Sequence, residues 1–164
     1  MILRSLAFAG GLAGAATTSQ FPKFSQQYMQ RLGGAVDALG VVVADFDASA
    51  AASDLSRDDA LAQMQGTPFL ERRQADMART IARHDRLRDD LQTLEGQGPF
   101  MRAYNAARFT DGEIAQAAWT AFQPAVPLGF AGLTFAGVGF VGGGLGVSLL
   151  LGLVAMPFRR RRPA

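Results

Sequence analysis

Two stretches of this chain carry no ionisable side chain, one at each end, and nearly all the charge lies between them. Residues 5–22 and 114–158 are charge-free, whereas all 14 acidic residues fall between Asp37 and Glu113. Four consecutive arginines, Arg159, Arg160, Arg161 and Arg162, follow the second stretch. Long charge-free segments flanked by basic residues are what a bilayer demands of a spanning helix. The pattern therefore predicts a membrane hairpin carrying a polar insert.

The second stretch is the longer. Residues 128–158 would make a helix of roughly 46 Å at 1.5 Å per residue, against about 30 Å of hydrocarbon. Such a helix tilts or leaves its first turns outside the lipid. The first, residues 2–18, is short and rich in alanine and glycine. It reads as a transmembrane helix whose Arg4 snorkels to the interface, or as a signal peptide with Arg4 before its apolar core and small residues at Ala13, Ala15 and Ala16. Both readings place Arg4 and the arginine tail on the cytoplasmic side and the insert outside the cytoplasm, in a bacterium the periplasm. The expected organisation is a first transmembrane helix over 1–20, a periplasmic helical domain over 21–127, a second transmembrane helix over 128–157 and a basic cytoplasmic tail over 158–164.

Charge within residues 19–127 is 11 basic against 14 acidic, which leaves −3. The excess of positive charge thus belongs to the span flanks, and nucleic acid is not an expected partner. The chain has no cysteine and one histidine. That removes disulfide scaffolds, thiolate metal sites and most nucleophile–base pairs. No catalytic residue, cofactor-binding motif or metal-ligand set is expected, and no small-molecule substrate is evident.

The insert predicts an all-α architecture. Tyr28, Leu32, Ala35, Leu39, Val42 and Phe46 step by four and three, the seam spacing of packed helices. Gly33, Gly34 and Gly40 weaken that helix unless a neighbour approaches closely. Ser56 with Asp59 starts a short helix, and Thr67-Pro68 opens a longer one. The stripe of this longer helix is Leu70, Met77, Ile81, His84, Leu87, Leu91 and Leu94. Gly96 and Gly98-Pro99 end it. A further short helix runs from Pro99 to Arg108, and Thr110 to Glu113 reads as a capping box for a last one. Two antiparallel helices near 23–52 and 68–95 would pack through these stripes. Phe21, Phe24, Tyr28 and Trp119 fall near the outer interface as an aromatic belt, though Trp119 suits the bundle core equally.

Other patterns in the chain carry less. Gly137, Gly139 and Gly142 spell a dinucleotide fingerprint, but within an apolar span and without the strand or the acid that the fingerprint needs. The same region offers small-xxx-small faces: Gly139 with Gly143 and Gly142 with Gly146, matched by Gly10 with Gly14 in the first span. Such faces let helices touch in lipid, and these six glycines are the expected helix-packing residues. His84 sits on the apolar stripe, either as a pH-sensitive seam contact or as a structural histidine at the core's edge. The arginines from Arg72 to Arg88 interleave with acids. Arg72/Asp76 and Arg86/Asp90 are spaced as i,i+4 pairs on a solvated face. Arg4 and the four tail arginines are expected to set topology and to meet anionic lipid.

Several pieces carry a family likeness: Leu12-Ala-Gly14, Ser19-Gln-Phe-Pro22, Gln26-Gln-Tyr28, Arg31-Leu-Gly-Gly34, Val43-Ala-Asp-Phe-Asp47, Phe69-Leu-Glu-Arg72 and Pro124-Ala-Val-Pro127. Through them the chain resembles bacterial two-span membrane proteins grouped as domain of unknown function two-nine-three-seven. The resemblance implies a bacterial inner-membrane protein and brings no activity, cofactor or catalytic residue with it. The expected role is that of a non-enzymatic interaction protein. It would be an accessory or assembly subunit of a larger membrane complex, respiratory or photosynthetic for example, or a self-oligomer. The alternative is an envelope sensor or scaffold that binds a periplasmic partner through its helices. The expected partners are membrane lipids and other subunits or a second copy.

Overall fold

A computed structural model describes residues 2–124, 126 and 128–159, with backbone alone for 155–159. The described residues form helices and connecting turns, without a strand. The helices are α1 (Ile2–Thr18), α2 (Phe21–Ala51), α3 (Arg57–Gln63), α4 (Pro68–Leu94), α5 (Pro99–Tyr104), α6 (Gly112–Thr120) and α7 (Phe130–Arg159), with a 3-10 turn over Ala106–Arg108. They sort into two compact units. The first comprises residues 1–26, 98–104 and 121–164, and the second residues 27–97 and 105–120.

In the first unit α1 lies antiparallel along α7. Ala7 meets Gly144, Gly10 meets Gly143, and Gly14 meets Gly139. Phe8 packs edge-on against Phe140, with ring centroids 5.6 Å apart. Of the described helices, only α7 holds a segment, Phe130–Val154, long and apolar enough to cross a bilayer. The first expected span is shorter than that. α1 has 17 residues, or about 26 Å of helix, where about 20 residues are needed.

The second unit is built around α2 and α4. Its apolar core is Tyr28, Leu32, Val36, Val43 and Ala50 of α2, Ile81, Leu87 and Leu94 of α4, and Ile114 and Ala118 of α6. The buried stripe of α2 differs from the expected one beyond Leu32. Val36 and Val43 turn inward, and Val42 is exposed. Val36, Val43 and Ala50 step by seven, so the buried stripe keeps the heptad spacing but sits one residue later than the expected one, on the next row of the same helix. Gly40 faces His84, whose Nε2 would lie 3.4 Å from an added β-carbon, whereas Gly33 and Gly34 have no neighbour within 4 Å. Close approach thus accounts for Gly40 alone. Tyr28 is buried in this core rather than at a membrane interface, and Trp119 is exposed.

Helix boundaries follow local chemistry. The Ser56 hydroxyl accepts the Asp59 amide at 3.1 Å. Thr67 accepts the Leu70 amide at 3.2 Å, with Pro68 in the first turn. α2 ends in a Schellman turn, the Leu55 amide reaching back to the Ala50 carbonyl and the Asp54 amide to that of Ala51. Asp54 takes the left-handed conformation there, at φ 54°, a position that usually falls to glycine. α5 stops at Tyr104, short of the expected Arg108.

Candidate functional site

The α1–α7 seam is made of glycine. A β-carbon added at Gly14 would overlap the Gly139 carbonyl oxygen, and it would stand 3.3 Å from the Gly143 Cα. One added at Gly143 would overlap the Gly10 carbonyl, and one at Gly10 the Val147 side chain. Gly11, which no spacing rule marks, is also closed off, with Phe140 Cε2 2.8 Å from its would-be β-carbon. Two backbones this close gain dispersion along their whole length, which is how helices associate where no hydrophobic effect drives them. At the far end the Thr18 hydroxyl donates to the Phe135 carbonyl of α7 at 2.6 Å.

Four of the six expected packing glycines, Gly10, Gly14, Gly139 and Gly143, therefore meet in this seam. The other two do not. Gly142 and Gly146 have no atom within 4 Å of a would-be β-carbon. They lie on a row of α7 rotated away from α1, and one partner helix covers one row. Arg4 is exposed near the start of α1. Arg159 is the last residue of α7, and Arg160, Arg161 and Arg162 lie outside the described residues.

An aromatic cluster closes the same unit. Phe21 packs on Phe135 at 5.3 Å. Phe100 of α5 stacks on Phe135 at 5.3 Å and 12°, and meets Phe130 edge-on at 6.4 Å. Phe24 meets Phe122 at 6.2 Å.

The second unit holds an ionic cluster around two buried acids, of which Asp90 is expected on a solvated face. Asp90 is 1% exposed. It accepts the Thr110 hydroxyl at 2.6 Å and Arg108 Nη1 at 3.3 Å. Arg108 also pairs with Asp89 at 2.5 Å. Asp111, 8% exposed, accepts Arg83 Nε at 3.0 Å and Nη2 at 3.2 Å. It also caps α6, taking the Ile114 amide at 3.0 Å and the Glu113 amide at 3.1 Å. The N-cap is thus Asp111 and not Thr110, whose hydroxyl is committed to Asp90. The Asp111 amide donates in turn to the Tyr28 hydroxyl at 3.4 Å.

Burial alone would raise the Asp111 carboxyl. The Ile114 amide, Arg83 and the Glu113 amide outweigh it and hold the group below the ordinary value. Burial pushes the Tyr28 phenol up. Neither expected i,i+4 pair forms: Asp76 pairs with Arg73 and Arg79, and Asp90 with Arg108. The acids and arginines of the cluster answer one another. They tie the 105–120 return segment to α4 and α2, which is a structural task.

His84 is half-buried beside Gly40, with Nδ1 3.3 Å from Asp85 Oδ1. Among the described residues no three carboxylates or imidazoles converge as a metal set.

No curated protein and no solved structure matches the chain. One family matches almost end to end, over residues 2–160, and on that match the chain belongs to the family described as "Protein of unknown function (DUF2937)".

Proposed function

We propose that the chain is a two-pass protein of a bacterial inner membrane that works through protein–protein contacts and not catalysis. It would be an accessory or assembly subunit of a larger membrane complex, or a self-oligomer. The observation that carries this reading is the bareness of α7. Leu133, Val138, Val141, Leu145, Leu149, Leu150, Leu153 and Val154 are all exposed, although α1 already covers the glycine seam. An apolar surface of that length needs lipid, and its open Gly142–Gly146 row permits a close neighbour helix. α1 is short for a span on its own. Packed antiparallel on α7, it could cross with Arg4 near the level of Leu150, snorkelling toward the side that holds the arginine tail. Both termini would then be cytoplasmic and the helical unit periplasmic. Blue-native electrophoresis and multi-angle light scattering in gentle detergent test the reading. A mass above one 17.4 kDa chain plus micelle is expected, and a lone chain refutes it.

A second reading is an envelope sensor or scaffold whose helical unit binds a periplasmic partner. Val41, Val42 and Phe69 support it, each exposed on a helix of that unit. Crosslinking in native membranes separates the two readings by whether partners attach through α7 or through α2 and α4.

A further inference from the structure

α5 is turned inside out for a helix of a water-exposed protein. Phe100, Met101 and Tyr104 stand at i, i+1 and i+4, on one face at 100° per residue. That face is the bare one: Phe100 is 44% exposed, Met101 50% and Tyr104 83%. The half-buried positions are Pro99, Arg102 and Ala103. The Arg102 Nε is shut off from solvent and has no hydrogen-bond partner. α5 also has a fixed place in its unit, since Phe100 is held by Phe130 and Phe135 at the start of the apolar segment Phe130–Val154. Val126, Leu128 and Phe130, just before and at that start, are exposed as well.

From this placement we infer that α5 is an interfacial anchor. Its Phe100–Met101–Tyr104 face lies in the boundary between headgroups and acyl chains, in the leaflet at the Phe130 end of the span. The inference rests on α7 crossing the membrane. Given that, the ring contacts put α5 at the depth where the span begins, and at that depth an outward apolar face is covered by lipid. Aromatic residues prefer this zone because a ring and a polar tip are both satisfied there. Amphipathic helices bind interfaces in this way, with apolar area buried and basic groups at the headgroups.

Tryptophan depth in lipid vesicles tests this on the full chain. The single native tryptophan is first removed by Trp119→Phe, and Tyr104→Trp or Leu145→Trp is added. Lipids brominated near the headgroup end of the acyl chain are expected to quench Tyr104→Trp most strongly. Lipids brominated near the chain end are expected to quench Leu145→Trp most strongly. Deep quenching of Leu145→Trp together with a Tyr104→Trp that is unquenched by lipid overturns the inference and leaves the span standing. Access to aqueous iodide then means that α5 faces water, and shielding from iodide means that protein covers it. An unquenched Leu145→Trp overturns the span and the inference together.

Discussion

Gly143→Leu, set against Gly146→Leu, puts a number on the seam. Both replace a glycine of the same helix with the same side chain, three residues apart. At Gly143 the first added carbon meets the Gly10 carbonyl oxygen and stands 3.3 Å from the Gly14 Cα. Those obstacles are backbone, so no rotamer change relieves them, and the two helices must move apart. Overpacking costs about 1–3 kcal/mol where side chains can yield. Here the upper end applies, because separation also forfeits the neighbouring contacts, Gly14 on Gly139 and the Thr18 hydroxyl on the Phe135 carbonyl. The closed-to-open ratio of α1 on α7 should fall by about a hundredfold, at 1.4 kcal/mol per factor of ten. At Gly146 an added β-carbon meets nothing within 4 Å, and in water leucine is the better helix former by somewhat under 1 kcal/mol, so the ratio should hold. The chain has no cysteine, which makes the assay clean: Phe8→Cys with Phe140→Cys reports the seam by disulfide formation under limiting oxidant. Gly143→Leu should slow crosslinking strongly, and Gly146→Leu should leave it alone. Equal rates in the two backgrounds would refute the close-packed seam, and slowing by Gly146→Leu alone would put α1 on the other row.

Four further outcomes are expected. Asp111→Asn should destabilise the helical unit by about 1–3 kcal/mol, because a neutral amide loses the charge-assisted bonds to Arg83, which keeps only the exposed Glu113 as an acidic partner. Asp111 is held below 3.8 in the fold, so its contribution is full above about pH 4 and is lost as pH falls through the folded-state value. Denaturant unfolding followed by circular dichroism should therefore show wild type and variant converging as the pH is taken progressively below 3.8. Asp54→Gly relieves the left-handed strain and Gly34→Ala removes glycine from an open helical position, so each should raise the unfolding free energy by about 0.5–1 kcal/mol, read as a higher midpoint. For topology, Ser53→Cys, in the turn after α2, should react with a membrane-impermeant maleimide on intact cells while Ala164→Cys stays protected, and the reverse pattern would invert the orientation. Replacing Arg159, Arg160, Arg161 and Arg162 by Gln removes roughly 4 kcal/mol of electrostatic bias, so protease protection should show mixed orientation or poorer insertion. An unchanged pattern would deny the tail its topological role.

Most of the helical punctuation was legible because each stop and start is local. Ser56, Thr67-Pro68 and Gly96 act on backbone within a turn of themselves, so spacing alone exposes them. What spacing could not give was the inward face wherever a charge sat on it. Arg83, Leu87, Asp90 and Leu94 step by four, three and four, the same stripe as the core leucines. That signal is present, but Arg86 four residues before Asp90 offers a surface pair by spacing alone, and the local pattern does not rank the two. The partners of Asp90 are Thr110 and Arg108, about twenty residues on in the sequence. Asp111 shows the same limit. Thr110 satisfies the capping-box pattern by letter, but its hydroxyl is drawn to Asp90, and the cap passes to the next residue, whose carboxylate can serve two amides and Arg83 at once.

The glycine rows pose a different problem, since on α7 the two are equivalent by spacing. Gly139 with Gly143 and Gly142 with Gly146 each allow close approach, and nothing local ranks them. The tie breaks only through α1, which has one such row, Gly10 and Gly14 continued by Thr18. A lone partner row can bury one row of α7, and the register in which Thr18 meets Phe135 selects Gly139 and Gly143. The surplus row is then a consequence of the hairpin. α1 uses up half of the small-residue surface that α7 presents, and the other half remains beside bare leucines and valines. A protein whose only use for α7 were to hold α1 would gain helix stability by filling Gly142 and Gly146, since neither position is crowded. Retaining glycine at both is coherent with a second close-packed helix on that row, so alanine at both positions should leave the hairpin intact and weaken whatever association the native gel reveals.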